Sequence, residues 1–300
     1  MNGILNVLKP TGMTSHDVVS YIRSKLKTKK VGHTGTLDPN AAGVLPICLG
    51  KATKITQYLI EKRKKYRCEL TLGKETDTQD KYGKVIKESE IKVNENEIRR
   101  VFKNFLGEIE QIPPMHSALK HKGRKLYELA RVGKKVDIKP RKIKVYNLDI
   151  ISIKDNKKIL FDVECSKGTY IRTLCKDIGR QLGPYGYMSF LLRTRVDKFD
   201  LLNAYTIEEI NDYVNNNQID DIILPIDYPL DNYKIITIKK RNKKIITNGG
   251  RVFLGKKHDV MKLYNKMAKY RIYCEGRFLG IGKIVELGDA WFVKMEKLLV

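Results

Sequence analysis

The run Gly32-His33-Thr34-Gly35-Thr36-Leu37-Asp38-Pro39 sets one carboxylate between two glycines and a proline. Proline disfavours helical backbone for the residue before it, so Asp38 belongs on an extended or turning segment. Gly32 and Gly35 allow backbone angles and close approaches that other residues resist. The surrounding chain carries 59 Lys and Arg against 34 Asp and Glu, a net charge of +25. That excess steers toward nucleic acid, an anionic membrane or an acidic protein. A carboxylate held on a loop in so basic a chain points to acid chemistry on a polyanion. An ordinary turn, in which the aspartate bonds its own backbone, uses the same residue types.

Three further segments carry residues that could work with Asp38. They are Lys9-Pro10 beside Gly12, Tyr66 in Lys64-Lys65-Tyr66-Arg67, and Tyr170 with Arg172 in Ser166-Lys167-Gly168-Thr169-Tyr170-Ile171-Arg172-Thr173. An aspartate nucleophile acts as the carboxylate, and a guanidinium is the usual counter-ion for one in a closed site. Aromatic faces hold extruded bases, and enzymes that modify a base must take it out of its stack. Each group also has a plainer reading. Tyr66 fits an apolar strand face, Tyr170 and Arg172 fit a helix start, and Lys9-Pro10 fits a strand end.

Basic residues crowd positions 120–144, among them Lys120, Arg124, Arg131, Lys134, Lys135 and Arg141, with Tyr127 between them and only Glu128 and Asp137 opposing. Gly123 and Gly133 loosen this stretch, and Pro113-Pro114 and Pro140 flank it. Many charge runs are solvated faces, but this length and purity favour a loop that grips phosphates.

These groups must be positioned by a folded core, and 42% apolar residues in 300 are enough to build one. Thr14-Ser15 before Val18, Val19, Ile22 and Leu26 reads as a capped amphipathic helix. Another helix ends at Gln57 to Ile60. Residues 65–73 alternate, with Tyr66, Cys68, Leu70 and Leu72 on one face, as a half-buried strand does. Ile98, Val101, Phe102, Phe105 and Leu106 have helical spacing, with Gly107 as the stop. Residues 142–153 and 158–165 are strand-like around an Asp155-Asn156 turn. Residues 166–169 lead into a helix with Ile171, Leu174, Cys175, Ile178 and Leu182 on one stripe. The pattern is a mixed α+β domain with substantial antiparallel sheet.

The stretch Leu224-Pro225-Ile226-Asp227-Tyr228-Pro229 reads as a connector, which places a boundary near residue 230. Beyond it come short strands and glycine turns, including Gly249-Gly250, Gly276 and Gly280-Ile281-Gly282. Residues 231–300 hold 17 basic and 6 acidic residues, a far denser excess than in residues 1–230. An accessory RNA-contacting module has that balance.

Composition narrows the function further. The five cysteines are widely spaced, with no C-x-x-C, and the five histidines lack ligand spacing. We therefore expect no metal, and cysteines that pack as small core residues in a reducing cytoplasm. No apolar stretch is long enough to span a bilayer, and the N-terminus lacks the charged leader of a signal peptide. Two rivals to a base-modifying enzyme are a non-catalytic RNA-binding protein and a metal-dependent nuclease. Glu75, Asp77 and Asp80 are the nearest carboxylate cluster for the latter.

Several motifs in order carry a resemblance that spans nearly the whole chain. They are residues 9–15, residues 32–39 continuing to Gly43-Val44-Leu45-Pro46, Leu72-Gly73 through Thr76-Asp77-Thr78, and Gln111-Ile112-Pro113-Pro114. Ser117-Ala118-Leu119-Lys120, Lys125-Leu126-Tyr127-Glu128 and residues 166–173 follow. Together they resemble the bacterial TruB family of tRNA pseudouridine synthases. The C-terminal part is similar, more weakly, to that family's small PUA-type RNA-binding domain.

The resemblance implies an α+β pseudouridine synthase fold around a mixed, mainly antiparallel sheet, with a catalytic domain at residues 1–230 and a mostly-β PUA-like domain at 231–300. It implies isomerisation of the T-loop uridine, position 55 of tRNA, without a cofactor. Asp38 is then the essential aspartate and Arg172 its partner. Tyr66 stacks on the uracil or serves as a base, and Tyr170 helps form the pocket. His33 wedges into the T-loop, Lys9 and Pro10 support the site, and residues 114–142, with Lys120, Arg124, Arg131 and Arg141, close over the RNA. The implied partner is the tRNA T-stem-loop alone, with a cytoplasmic monomer needing no protein partner and no membrane. His116 departs from the family's usual Tyr after Pro-Pro-Met, and Gly186-Tyr187 from a common Ala-His pair.

Overall fold

A computed structural model describes residues 1–134 and 136–300. The chain starts on β1 (Gly3–Lys9) and turns into α1 (Ser15–Lys25). Thr14 caps that helix: its hydroxyl accepts from the Asp17 N–H at 3.0 Å, and the Asp17 carboxylate accepts from the Thr14 N–H at 2.8 Å. This reciprocal pair satisfies two of the free N–H groups at the helix start. Then come β2 (Val31–His33), β3 (Ala42–Leu49), α2 (Thr56–Ile60) and β4 (Lys64–Leu72). A small ribbon, β5 (Lys74–Thr76) with β6 (Val85–Glu88), precedes α3 (Glu95–Lys103) and β7 (Gly107–Gln111).

The basic stretch is more ordered than a plain loop. It forms a hairpin, β8 (Lys120–His121) with β9 (Arg124–Lys125), followed directly by α4 (Leu126–Arg131). Lys135 of the basic run lies outside the described residues. β10 (Arg141–Lys154) and β11 (Lys158–Cys165) pair through the Asp155-Asn156 turn, where both residues have positive φ, 52° and 48°. With Lys157 they make a three-residue connection between the paired Lys154 and Lys158, closed by the Lys157 N–H on Lys154 O at 3.0 Å. α5 (Ile171–Leu182) leads to β12 (Gly186–Val196), which opens at Gly186 packed against Gly179 of the helix. β13 (Phe199–Asp200) and α6 (Ile207–Asn215) follow.

Among the described residues, nine of these strands make one sheet in the order β1-β3-β12-β4-β11-β10-β7, with β2 on β3 and β13 on β12. The β3–β12 pairing is parallel and the rest are antiparallel. Side chains alternate across the sheet. Leu5, Val7, Leu45 and Ile47 pack on α1 and α6, while Ile4, Val44 and Cys48 face the other way. Tyr66, Cys68, Leu70 and Leu72 face α5 and α3, as the alternation predicts.

α3 ends at Lys103, before Phe105 and Leu106. The chain tightens there into i to i−3 bonds (Asn104 N–H to Val101 O, 3.0 Å; Phe105 N–H to Phe102 O, 3.1 Å), and Leu106 is left exposed. Turning early lets Gly107 begin β7 instead of capping the helix.

Past residue 230 a second sheet forms. Its elements are β14 (Ile235–Ile238), α7 (Lys243–Thr247), β15 (Arg251–Lys256), α8 (Lys257–Val260), β16 (Lys269–Cys274), β17 (Arg277–Leu287) and β18 (Ala290–Leu298). The strand order is β14-β16-β17-β18-β15. Gly280-Ile281-Gly282 is not a turn but the middle of β17. A Cβ at Gly280 would lie 2.0 Å from Lys297 O, so the glycine permits a close strand approach at a bulge. The connector is also not free. Leu224 and Ile4 exchange both backbone bonds at 2.9 Å, and Ile281 and Leu299 share a core with Ile4, Val44 and Ile55. Among the described residues no helix is long and apolar enough to cross a membrane.

Candidate active site

The loop between β2 and β3 carries Asp38 and is fastened from several directions. The Ser15 hydroxyl, at the start of α1, accepts from the Leu37 N–H at 2.8 Å and donates to Leu37 O at 3.2 Å. The Gly12 N–H donates to Pro39 O at 2.9 Å. Lys9, last in β1 and fully buried, donates from Nζ to Met13 O, Pro10 O and Pro39 O at 2.6, 2.7 and 3.2 Å. Pro10 itself is exposed and contributes that carbonyl. Leu37 plugs into the core, while about a third of the Asp38 side chain stays open.

A second buried cation supports the loop from β12. Arg193 donates from Nε to Val44 O at 2.7 Å, and from its Nη atoms to Gly35 O at 3.2 Å and Thr36 O at 3.5 Å. Gly43 makes this possible: at φ 126°, any Cβ there would lie 2.3 Å from Arg193 O. Burial, reinforced by the nearby Arg193 charge, pulls the Lys9 ammonium down to about 8, against the opposing pull of Asp38. Burial also lowers Arg193 itself, while Tyr66 opposes the shift.

Arg172, second in α5 and almost fully buried, meets Asp38 at two points. Nε lies 2.8 Å from Oδ2 and Nη2 lies 3.2 Å from Oδ1. Two of its other three N–H donors go to carbonyls, Thr78 O at 3.1 Å and His116 O at 2.8 Å. A planar fork on a carboxylate fixes orientation as well as charge. The carboxylate is thus aimed, with its other lone pairs left toward the opening.

The Thr78 carbonyl belongs to a tight turn. Thr76 Oγ1 donates to Asp80 O and Thr78 Oγ1 to Asp80 Oδ1, both at 2.6 Å, and Thr173 Oγ1 ties Gln79 Oε1 to α5 at 2.8 Å. The carboxylates weighed above as a metal cluster have protein partners here. Glu75 takes a bidentate pair from Arg180 at 2.6 and 2.7 Å, and Asp77 caps the Lys84 N–H at 2.8 Å. Among the described residues no group of three or more His, Cys, Asp or Glu could hold a metal ion.

Tyr66 lies in the core with its ring end against Arg193. Burial pushes its phenol up to about 12, although the Arg193 charge opposes the shift. Tyr170 precedes α5, and burial raises its phenol against the opposing influence of the Ser117 hydroxyl, Arg141 and Arg172. His33 ends β2, with Nδ1 accepting the Gly35 N–H at 3.2 Å. Burial and the Arg193 charge hold its imidazole below the usual range. Asp38, Arg172, Lys9, Tyr66 and Tyr170 therefore converge.

Lys120, Arg124 and Arg131 stand exposed on the hairpin and α4, and Arg141 stands exposed at the start of β10. Lys125 and Arg131 both sit over the Tyr127 ring, at 5.4 Å from its centroid. His116 takes part through its backbone, which accounts for how another side chain is accepted there.

Two site residues escape sequence reasoning. One is Arg193, whose only signal is an arginine at an inward position of β12, opposite Tyr66. The other is Gln111, which stands in a motif quoted above but with no role assigned, and whose side chain clamps the backbone of Tyr170.

The family model described as TruB family pseudouridylate synthase (N terminal domain) matches residues 23–171. The model described as tRNA pseudouridylate synthase B C-terminal domain matches residues 172–231. The tRNA pseudouridine synthase B of Alkaliphilus oremlandii (strain OhILAs) is 52% identical over 301 residues, covering 100% of this chain and 99% of that protein. Its counterpart from Clostridioides difficile (strain 630) is 45% identical over 304 residues, covering all of both. A solved H/ACA RNP bound to a substrate RNA containing 2′-deoxyuridine includes a similar chain. It aligns at TM-score 0.73 and 26% identity, over 99% of this chain and 85% of that one.

Proposed function

The chain belongs to the TruB family and has the pseudouridine synthase fold, and from that premise we propose that it converts uridine 55 in the T-loop of tRNA to pseudouridine. It is a tRNA pseudouridine synthase, an isomerase, as its relatives are by name. The net reaction breaks the N1–C1′ bond of uridine and forms a C5–C1′ bond. C5 loses a proton and N1 gains one, so no electrons or groups are exchanged with a donor.

One observation carries the assignment of the reacting group: a partly open Asp38 carboxylate gripped at two points by a buried guanidinium. In this reading Asp38 makes and breaks the bond to the nucleotide. Arg172 holds it in place, and neutralising Arg172 costs rate more than RNA affinity. Tyr66, a neutral phenol until well above physiological pH, serves the uracil as a stacking face. Tyr170 walls the pocket and His33, its imidazole held below the usual range by burial and the Arg193 charge, enters the opened T-loop stack. Lys9 and Pro10 brace the Asp38 loop through backbone carbonyls.

Flipping the base costs a few kcal/mol. Phosphate contacts from Lys120, Arg124, Arg131 and Arg141 on the 114–142 segment offset that cost. Residues 1–230 form the synthase unit and residues 231–300 a PUA-like RNA-binding unit in this assignment. The protein acts as a monomer in the cytoplasm in this reading, and the five cysteines, free and buried, suit a reducing compartment.

The test is tritium release from [5-³H]uridine-labelled tRNA transcripts, with Asp38→Asn alongside and chelator present. Release by the wild type alone, mapped to the T-loop, is the expected result. Tight tRNA binding by both proteins without release would overturn the reading.

A further inference from the structure

Gln111 is the last residue of β7, and its side chain is buried at 2% exposure. Its amide spans to the residue before α5. Nε2 donates to Tyr170 O at 3.0 Å, and Oε1 accepts the Tyr170 N–H at 2.8 Å. Both backbone groups of one residue are thus held by the two ends of one amide. A primary amide donates and accepts in this way at any pH without carrying charge, and Asn would be one methylene shorter. Tyr170 is two residues before Arg172, so the clamp sets where α5 begins and where the guanidinium starts.

Gln111 also sits at a root. Its backbone pairs with Arg141 across the β7–β10 edge, so both ends of the basic excursion between them are fixed at this point. A few residues on, the excursion returns to the site through His116 O, which takes Arg172 Nη2 at 2.8 Å. The segment that grips RNA and the cation that grips Asp38 therefore share two attachments, Gln111 to Tyr170 and His116 to Arg172.

Building on the synthase reading above, we propose that Gln111 is a positioning residue for the reaction, coupling the root of the RNA-gripping segment to the Arg172–Asp38 pair through Tyr170. It touches no substrate. Its work is to keep the guanidinium in register with the carboxylate, and a displacement near 1 Å at a reacting centre costs about 10²-fold in rate.

The experiment is single-turnover conversion of a T-stem-loop RNA by wild type, Gln111→Met and Gln111→Glu. Gln111→Met removes both bonds. We expect its rate to fall about 10- to 100-fold, with the RNA concentration for half-maximal rate within threefold of wild type. Gln111→Glu guards against a fold failure. As a carboxylate it has no donor for Tyr170 O and is slow, and as a neutral acid it regains one donor and one acceptor. Its rate should climb toward wild type as the pH falls through the carboxyl range, while the wild type shows no such rise. Tyr170, the residue before α5, and Arg141 of β10 adjoin this position, with His116 on the following segment. The wild-type profile, recorded in parallel, subtracts their titration.

A folded Gln111→Met at wild-type rate, or a Gln111→Glu profile parallel to wild type, overturns the proposal. An inactive wild type would instead overturn the synthase reading.

Discussion

The Asp38 loop and the basic excursion of residues 114–142 both face the proposed RNA, yet they are held in opposite ways. The loop is tied by Lys9, Gly12, Ser15, Arg172 and Arg193, partners from distant parts of the chain that are nearly all buried. The excursion is a hairpin of two-residue strands and a short helix, joined by local bonds such as Leu126 N–H to Leu119 O at 2.8 Å. Its cations stay in solvent. Bond rearrangement needs reacting atoms held to fractions of an ångström, and long-range buried contacts supply that. Gripping phosphates needs charge and reach, which a locally folded element supplies while remaining free to adapt.

The sharpest way to break this comparison is to change chemistry without changing shape. Asp38→Asn should lower the single-turnover rate by roughly 10⁴-fold or more, with RNA affinity close to wild type by filter binding. Arg172→Lys keeps the charge and loses the fork, and should cost about 10²- to 10³-fold in rate. If either variant lost affinity in proportion to rate, the separation between the two regions would fail.

Arg193 tests whether the loop's support is structural. Replacing it by Met takes the donor from the Val44 carbonyl, which is buried, and from the more open Gly35 and Thr36 carbonyls. A buried group left unsatisfied costs about 1–3 kcal/mol, so urea unfolding should show a loss of about that size. A variant as stable as wild type would mean that the loop holds itself.

The excursion should respond differently. Arg124→Ala and Arg131→Ala are expected to weaken RNA binding a few-fold each and to lower the slope of log affinity against log salt by about 1. The rate at saturating RNA should hold. A rate loss at saturation would move these cations into the reacting site.

Much of this was legible in the sequence, for reasons that also explain the omissions. Thr14 and Asp17 bond within one turn, β4 alternates along one strand, and Asp155-Asn156 lies in a tight hairpin connection, so each signal lies within a few residues. Asp38 stood out because Gly and Pro around it restrict the backbone. The meeting of Asp38 with Arg172, 134 positions apart, rested on resemblance. Arg193 and Gln111 were missed because each works by bonding backbone groups of another segment. Such bonding leaves no period, and although Gln111 opens one of the motifs quoted above, nothing in that motif shows what its side chain holds. α3 was read too long because Phe105 and Leu106 keep helical spacing after the backbone has turned away. Gly280 was read as a turn because a glycine needed for close strand contact looks the same in sequence as one needed for a bend.

The smallest expected effect sharpens the comparison at its seam, where the Thr78 turn meets α5. Glu75 is buried and Arg180 is half exposed, and they pair at two points beside the strand that leads into that turn. Burial alone would raise the Glu75 carboxyl, but the Arg180 hydrogen bonds and charge outweigh it and hold the group below its ordinary value. A depressed carboxyl adds stability that is fully present above the unfolded value near 4.5 and is lost as pH falls through the folded one. With one partner half in water the gain is about 1 kcal/mol. Wild type should therefore lose more stability than Glu75→Gln on acidification below about pH 4.5, and the two should differ by a constant amount from pH 6 to 8. Because this pair holds the turn and not the carboxylate, the Glu75→Gln rate at pH 7.5 should stay within about threefold of wild type. A larger loss would mean that the Thr78 carbonyl depends on Glu75 to reach Arg172, and that the cage around Asp38 extends one residue layer further than its direct contacts.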